Sequence, residues 1–134
     1  MTTARPARAS TDAVRRAHPE EQLQMQVCKF LHHALEGNST FFAVPNGGLR
    51  SRSEAARFKA TGTIAGMPDI CVVNDGRLIG IELKAPKGRV SDAQLYCHER
   101  LRRARVPVTV CKSVDDVIAA LTESGVPLKA RIAA

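Results

Sequence analysis

The chain has 134 residues, 44% of them hydrophobic, which suits one globular domain able to bury its own core. No apolar run approaches the ~20 residues that a membrane helix needs, and no apolar stretch follows the basic N-terminus as it would in a secretory signal. The expectation is therefore a cytoplasmic protein without a membrane partner. A net charge of +7 and a pI near 9.8 favour association with a polyanion, nucleic acid first. The four cysteines, Cys28, Cys71, Cys97 and Cys111, show no C-x-x-C spacing and read as free thiols in a reducing compartment. His32 and His33 are adjacent on a helix and cannot chelate as an i, i+4 pair would.

Residues 1–17 lack apolar periodicity and read as a flexible basic arm carrying Arg5, Arg8, Arg15 and Arg16. A helix is expected from about Pro19 to Leu35, with Pro19 suited to its first turn and Gly37 to its end. Leu23, Val27, Phe30, Leu31 and Ala34 form its apolar stripe. A strand over Thr40–Val44 stops at Pro45, and Asn46-Gly47-Gly48 reads as a turn. The basic stretch from Leu49 to Lys59 has the makings of a short helix, and Gly62 and Gly66 bracket a loop. Strands follow at Asp69–Val73 and Leu78–Lys84. A loop over Ala85–Arg89 leads into a helix from Ser91 to about Arg105, where Ser91 and Gln94 have the form of a capping box. Pro107–Cys111 reads as a strand. Ser113 caps a last helix whose Val114, Val117, Ile118 and Leu121 share a face, and Gly125 closes it. The domain thus spans 18–125, with 126–134 a C-terminal tail. The element order implies an α/β domain with a mixed sheet.

The two central strands carry the chemistry. Asp75-Gly76 is a favoured two-residue type I′ turn. With that turn Asn74 pairs with Arg77, and the register places Asp69 opposite Glu82, with Cβ atoms about 5 Å apart on one face. Lys84 projects from that face too, while Ile79, Ile81 and Leu83 point the other way, into the core. Two facing carboxylates repel each other unless a cation lies between them. Such an oxygen-rich site suits Mg²⁺ or Mn²⁺, which would activate water and stabilise charge in phosphodiester hydrolysis. Lys84 would orient the water or neutralise the developing charge. An E-L-K run in a strand more often means a solvated face, and it is the Pro-Asp brought opposite the glutamate that sets this one apart.

These residues resemble the PD-(D/E)XK nuclease signature: G-M-P-D at Gly66–Asp69, then I-E-L-K at Ile81–Lys84. P-N-G-G-L-R at Pro45–Arg50, G-T-I-A-G-M-P-D from Gly62 and V-S-D-A-Q at Val90–Gln94 look like the VRR-NUC subgroup, which includes stand-alone phage and bacterial proteins. The resemblance covers about residues 19–118. It implies a restriction-endonuclease-like core, a mixed central sheet flanked by helices, and a metal-dependent nuclease. Asp69 and Glu82 match the metal-binding acids, Lys84 the catalytic lysine, and Gln94 a polar active-site position, although helix capping alone would also account for Gln94. The family also uses a first-helix glutamate. Taking ~100° per residue, Glu20 falls on the inward stripe and Glu21 well to its side, so Glu20 is the choice.

Asn46 and Arg50 match the block before the core strands. Arg50, Arg52, Arg57 and Lys59, with Lys87 and Arg89, could form a phosphate-binding rim, although each taken singly reads as solvated surface charge. The absence of Trp and a 4% aromatic content argue against base stacking and for reading backbone shape. The resulting expectation is a homodimeric endonuclease for branched duplex DNA such as four-way (Holliday) junctions, in the host cytoplasm if phage-encoded. The alternatives are a flap, nick-processing or restriction-type nuclease, an RNA-processing nuclease, or a non-catalytic nucleic-acid-binding module.

Overall fold

A computed structural model describes residues 18–45 and 51–129. The arm over 1–17, the Asn46-Gly47-Gly48 turn with Leu49 and Arg50, and residues 130–134 lie outside these segments. The elements run α1 (Pro19–Ala34), β1 (Ser39–Ala43), α2 (Arg52–Ala60), β2 (Ile70–Asn74), β3 (Arg77–Leu83), α3 (Asp92–Arg103), β4 (Val108–Cys111) and α4 (Val114–Glu123).

The sheet has the order β1-β2-β3-β4. β1–β2 and β2–β3 are antiparallel, and β3–β4 is parallel. A parallel neighbour needs a crossover, and α3 supplies it. The β2–β3 turn is the expected one, since Asp75 (φ 48°) and Gly76 (φ 78°) both adopt the left-handed backbone of a type I′ turn. Asn74 pairs with Arg77, and Ile70 with Ile81.

That register divides the sheet into two faces. On one, Ile70, Val72, Ile79, Ile81 and Leu83 meet Val27 and Leu31 of α1 and Val117 and Leu121 of α4, all essentially without exposure. On the other, Cys71, Gly80 and Glu82 lie under α3, whose buried residues are Cys97 and His98. The ladder stops one pair short of the expected Asp69, because the Asp69 side chain, rather than its backbone, takes the Leu83 N–H. β3 ends at Leu83, and the Lys84 N–H donates to the Cys111 carbonyl beside it.

The two caps read from sequence, Ser91 and Ser113, are present, and Ser51 caps α2 in the same way; each accepts from the backbone N–H three residues on. α3 ends at Arg103, short of Arg105, which takes a positive φ of 66°. Of the segment assigned to a tail, 126–129 packs on the domain. Val126 is buried, Leu128 bridges to Leu35, and the Lys129 N–H donates to the Ala34 carbonyl. Two apolar residues at alternate positions suffice to tie that short segment down.

Gly66 (φ 84°) holds the loop before β2 against the first turn of α3, where a Cβ would collide with the Ala93 carbonyl. Gly66→Ala therefore combines left-handed strain with overpacking, and urea unfolding is expected to show a loss of about 2–4 kcal/mol. An unchanged midpoint would contradict this packing.

Candidate active site

Asp69 is held in place by what precedes it. Pro68 is buried and sits over Gly80 of β3, where an added Cβ would come within 2.8 Å of its ring. Gly80 is thus required for a close approach, and with Gly66 it delivers Asp69 to the end of the hairpin. There the Asp69 carbonyl accepts from the Val44 N–H (2.9 Å) and its Oδ2 accepts from the Leu83 N–H (2.8 Å).

Glu82 is fully buried, and Lys84 is only 8% exposed. Lys84 Nζ lies 3.7 Å from Glu82 Oε1. Gln94 Nε2 donates to the same Oε1 at 2.5 Å, while Gln94 Oε1 accepts from the Ser91 N–H at 2.8 Å. One Gln94 side chain thus completes the capping box and binds the buried carboxylate. His98 Nε2 faces Glu82 Oε2 at 3.7 Å.

Burial, reinforced by the charge of Asp69, pushes the Glu82 carboxyl up to about 7, against the opposing pull of Lys84 and the Asp69 N–H. Burial also raises Asp69, which the Leu83 N–H and Lys84 partly offset and Glu20 reinforces. Burial lowers the His98 imidazole, with Arg102 and Lys84 acting in the same direction.

Glu20 is half-buried and Glu21 exposed, as the helical stripe predicts. Glu20 Oε1 accepts from the Ala85 N–H at 3.3 Å, and a Cβ on Gly88 would lie 2.9 Å from that oxygen. The loop after Lys84 thus closes on the first helix, with exposed Lys87 and Arg89 beside this contact. Glu21 instead lines a groove of about 730 Å³ with Gln24, Met25, Lys29, Val44 and Asp69. Arg52, Arg57 and Lys59 are exposed on α2, which buries no residue. Asn46 and Arg50 lie outside the described residues.

Among the described residues no three His, Cys, Asp or Glu side chains form a ready-made cage for a metal ion. The two-carboxylate arrangement is still a fit for Mg²⁺ or Mn²⁺, which bind through one or two carboxylates and take water and phosphate oxygens as further ligands. Glu82 Oε2 is buried without a hydrogen-bond partner, and the Asp69–Glu82 repulsion is of the kind that a cation reverses. Sequence reasoning missed His98. The signal was its i+4 spacing from Gln94, which puts both on one face of α3.

A mixed sheet with helices on both faces, and two acids and a lysine grouped at the end of its central hairpin, defines a PD-(D/E)XK-like nuclease fold. A family model of the VRR-NUC domain matches residues 4–115. The chain belongs to the VRR-NUC domain family, and with it to proteins of nuclease type. A solved "VRR_NUC domain protein" is 24% identical, with a TM-score of 0.60 over 78% of this chain and 86% of that one. A second structure, "VRR_NUC domain", is 21% identical, with a TM-score of 0.52 over 78% and 95%. No curated protein matches the chain.

The Glu82 carboxyl binds its proton more tightly folded, at about 7, than at its ordinary value of 4.5. Its contribution to stability is therefore full below 4.5 and is lost as pH rises through about 7. Glu82→Gln removes that dependence. Relative to wild type, the variant should gain up to about 3 kcal/mol between pH ~5 and pH ~8 in urea melts without added metal. The Lys84 ion pair forms only with the ionised carboxylate, so its effect is already contained in that value of about 7. A difference independent of pH would contradict the assignment.

Proposed function

We propose that the chain is a divalent-metal-dependent endodeoxyribonuclease that hydrolyses phosphodiester bonds in branched DNA, four-way junctions foremost, as a homodimer in the cytoplasm. The observation that carries the hydrolytic reading is the buried Glu82 carboxylate, flanked by Asp69 and Lys84 and held by Gln94. A structural role alone gives no reason to bury an acid beside a second acid, and perturbed acids of this kind concentrate where chemistry is done.

Asp69 and Glu82 would hold Mg²⁺ or Mn²⁺, with Glu20 adding negative charge beside Asp69. When bound, the cation lowers the pKa of the attacking water and offsets negative charge on the phosphate in the transition state. The Leu83 N–H fixes the Asp69 carboxylate, and Gln94 fixes that of Glu82. The Lys84 ammonium, anchored near Glu82, is placed to hydrogen-bond the attacking water and to oppose charge on the phosphate.

Support for a nucleic-acid substrate comes from the net charge of +7 and from exposed Arg52, Lys87 and Arg89 as backbone contacts. The scarcity of aromatic residues favours reading shape over stacking on bases. Among the described residues no helix is long and apolar enough to cross a membrane. The dimer rests on the symmetry of the substrate: two active sites about a two-fold axis match a symmetric junction, and one small domain offers little surface for gripping two duplexes.

The test is cleavage of labelled four-way junction, flap, linear duplex and single-stranded DNA with Mg²⁺ or Mn²⁺. Wild type should cut the junction fastest, and Asp69→Ala and Lys84→Ala should each lose on the order of 100-fold or more. Equal cleavage by wild type and Asp69→Ala would remove the site. Linear duplex cut as fast as the junction would remove the branched-substrate reading. Analytical ultracentrifugation with junction DNA should show a dimer, and a monomer at micromolar concentration would count against that part.

A further inference from the structure

α3 covers Glu82 with two polar side chains one turn apart. Gln94 Nε2 donates to Glu82 Oε1. One turn on, the His98 ring is as deeply buried as Glu82 itself, each side chain being 1% exposed. Among the described residues, the buried side-chain nitrogen or oxygen atoms without a hydrogen-bond partner are Glu82 Oε2 and His98 Nε2. These two atoms face each other at 3.7 Å. One is a strong acceptor and the other a donor in the Nε2–H tautomer. A closure of about half an ångström brings them into hydrogen-bond range. A space-filling Leu at this position would give the same burial without creating a polar atom in need of a partner.

We propose that His98 is a positioning residue for the carboxylate: its Nε2–H donates to Glu82 Oε2, so that Gln94 and His98 grip both oxygens from one face of α3. A carboxylate held at both oxygens by a single helix cannot rotate about its last torsion without breaking one of the two bonds. Its orientation toward Asp69 is therefore set by α3 rather than by the strand that carries it. The consequence for a cation rests on the metal-dependent reading above: residues that orient a ligating carboxylate typically govern metal affinity by 10- to 100-fold, a range of order ~10–100.

The experiment has two arms on the full chain. The first is ¹⁵N NMR of the His98 ring in wild type and in Glu82→Gln, without metal. The expected result is a neutral ring protonated at Nε2, with a hydrogen-bonded Nε2–H signal that moves in the variant. A proton on Nδ1 with a bare Nε2 overturns the proposal. The second arm is calorimetric titration with Mn²⁺ of wild type, His98→Leu and His98→Gln, with thermal melts alongside. His98→Leu should weaken binding on the order of 10- to 100-fold, and His98→Gln, whose amide restores a donor near the Nε2 position, should recover most of it. Wild-type affinity in His98→Leu overturns the proposal, as does equally weak binding by both variants when both melt like wild type. If wild type shows the Nε2–H signature but binds no Mn²⁺, the His98–Glu82 pairing stands and the metal-dependent reading fails.

Discussion

One buried negative charge organises this molecule. Glu82 lies near the end of β3 with no exposure, in a position where a hydrophobic residue of similar size would pack without penalty. Everything around it either tolerates that charge or offsets its desolvation. Lys84 lies beside it, Gln94 donates to it, and the Asp69 N–H favours its ionised form. Yet the nearest other acid, Asp69, is placed to make the ionised form harder to reach. The fold thus keeps a carboxylate at the threshold of ionisation near neutral pH, which serves stability poorly.

Most of this arrangement could be read from the sequence because it is local. Asn74-Asp75-Gly76-Arg77 dictates the turn, the turn dictates the register, and the register brings Asp69 to the end of the ladder, where its side chain takes the Leu83 N–H, with Ile79, Ile81 and Leu83 turned away. The helical stripe through Val27 and Leu31 selects Glu20 over Glu21 by the same kind of counting. Less legible was how deeply the site is buried. Alternation along β3 says that Glu82 and Lys84 share a face, but not that α3 covers it, because that depends on the crossover from β3 to β4 and on Gly66 and Gly80 letting backbone and ring approach closely. His98 was hidden for the same reason: its i+4 spacing from Gln94 puts the two on one face of α3 but does not say which strand that face meets.

The exposed cations stand apart from this core. α2 contributes Arg52, Arg57 and Lys59 without burying a side chain, so its sequence answers to solvent rather than to packing. Lys87 and Arg89 sit on the loop that Glu20 ties to the first helix through Ala85, so exposed positive charge is tethered directly beside the acids. The protein therefore separates two demands on its residues. An apolar face between α1, α4 and the sheet carries stability, and a polar face under α3 holds the buried acid and its partners.

The double role of Gln94 has a dynamic consequence. Helix ends ordinarily fray at little cost, because the first turn is held by few bonds and solvent readily replaces them. In α3 the same amide side chain closes the capping box and neutralises part of the demand of a buried acid. Fraying here would strip a donor from Glu82 and leave the charge uncompensated inside the protein. Opening of this turn is thereby coupled to disruption of the site, so the start of α3 should move as one cooperative unit with β3 rather than as a loose helix end.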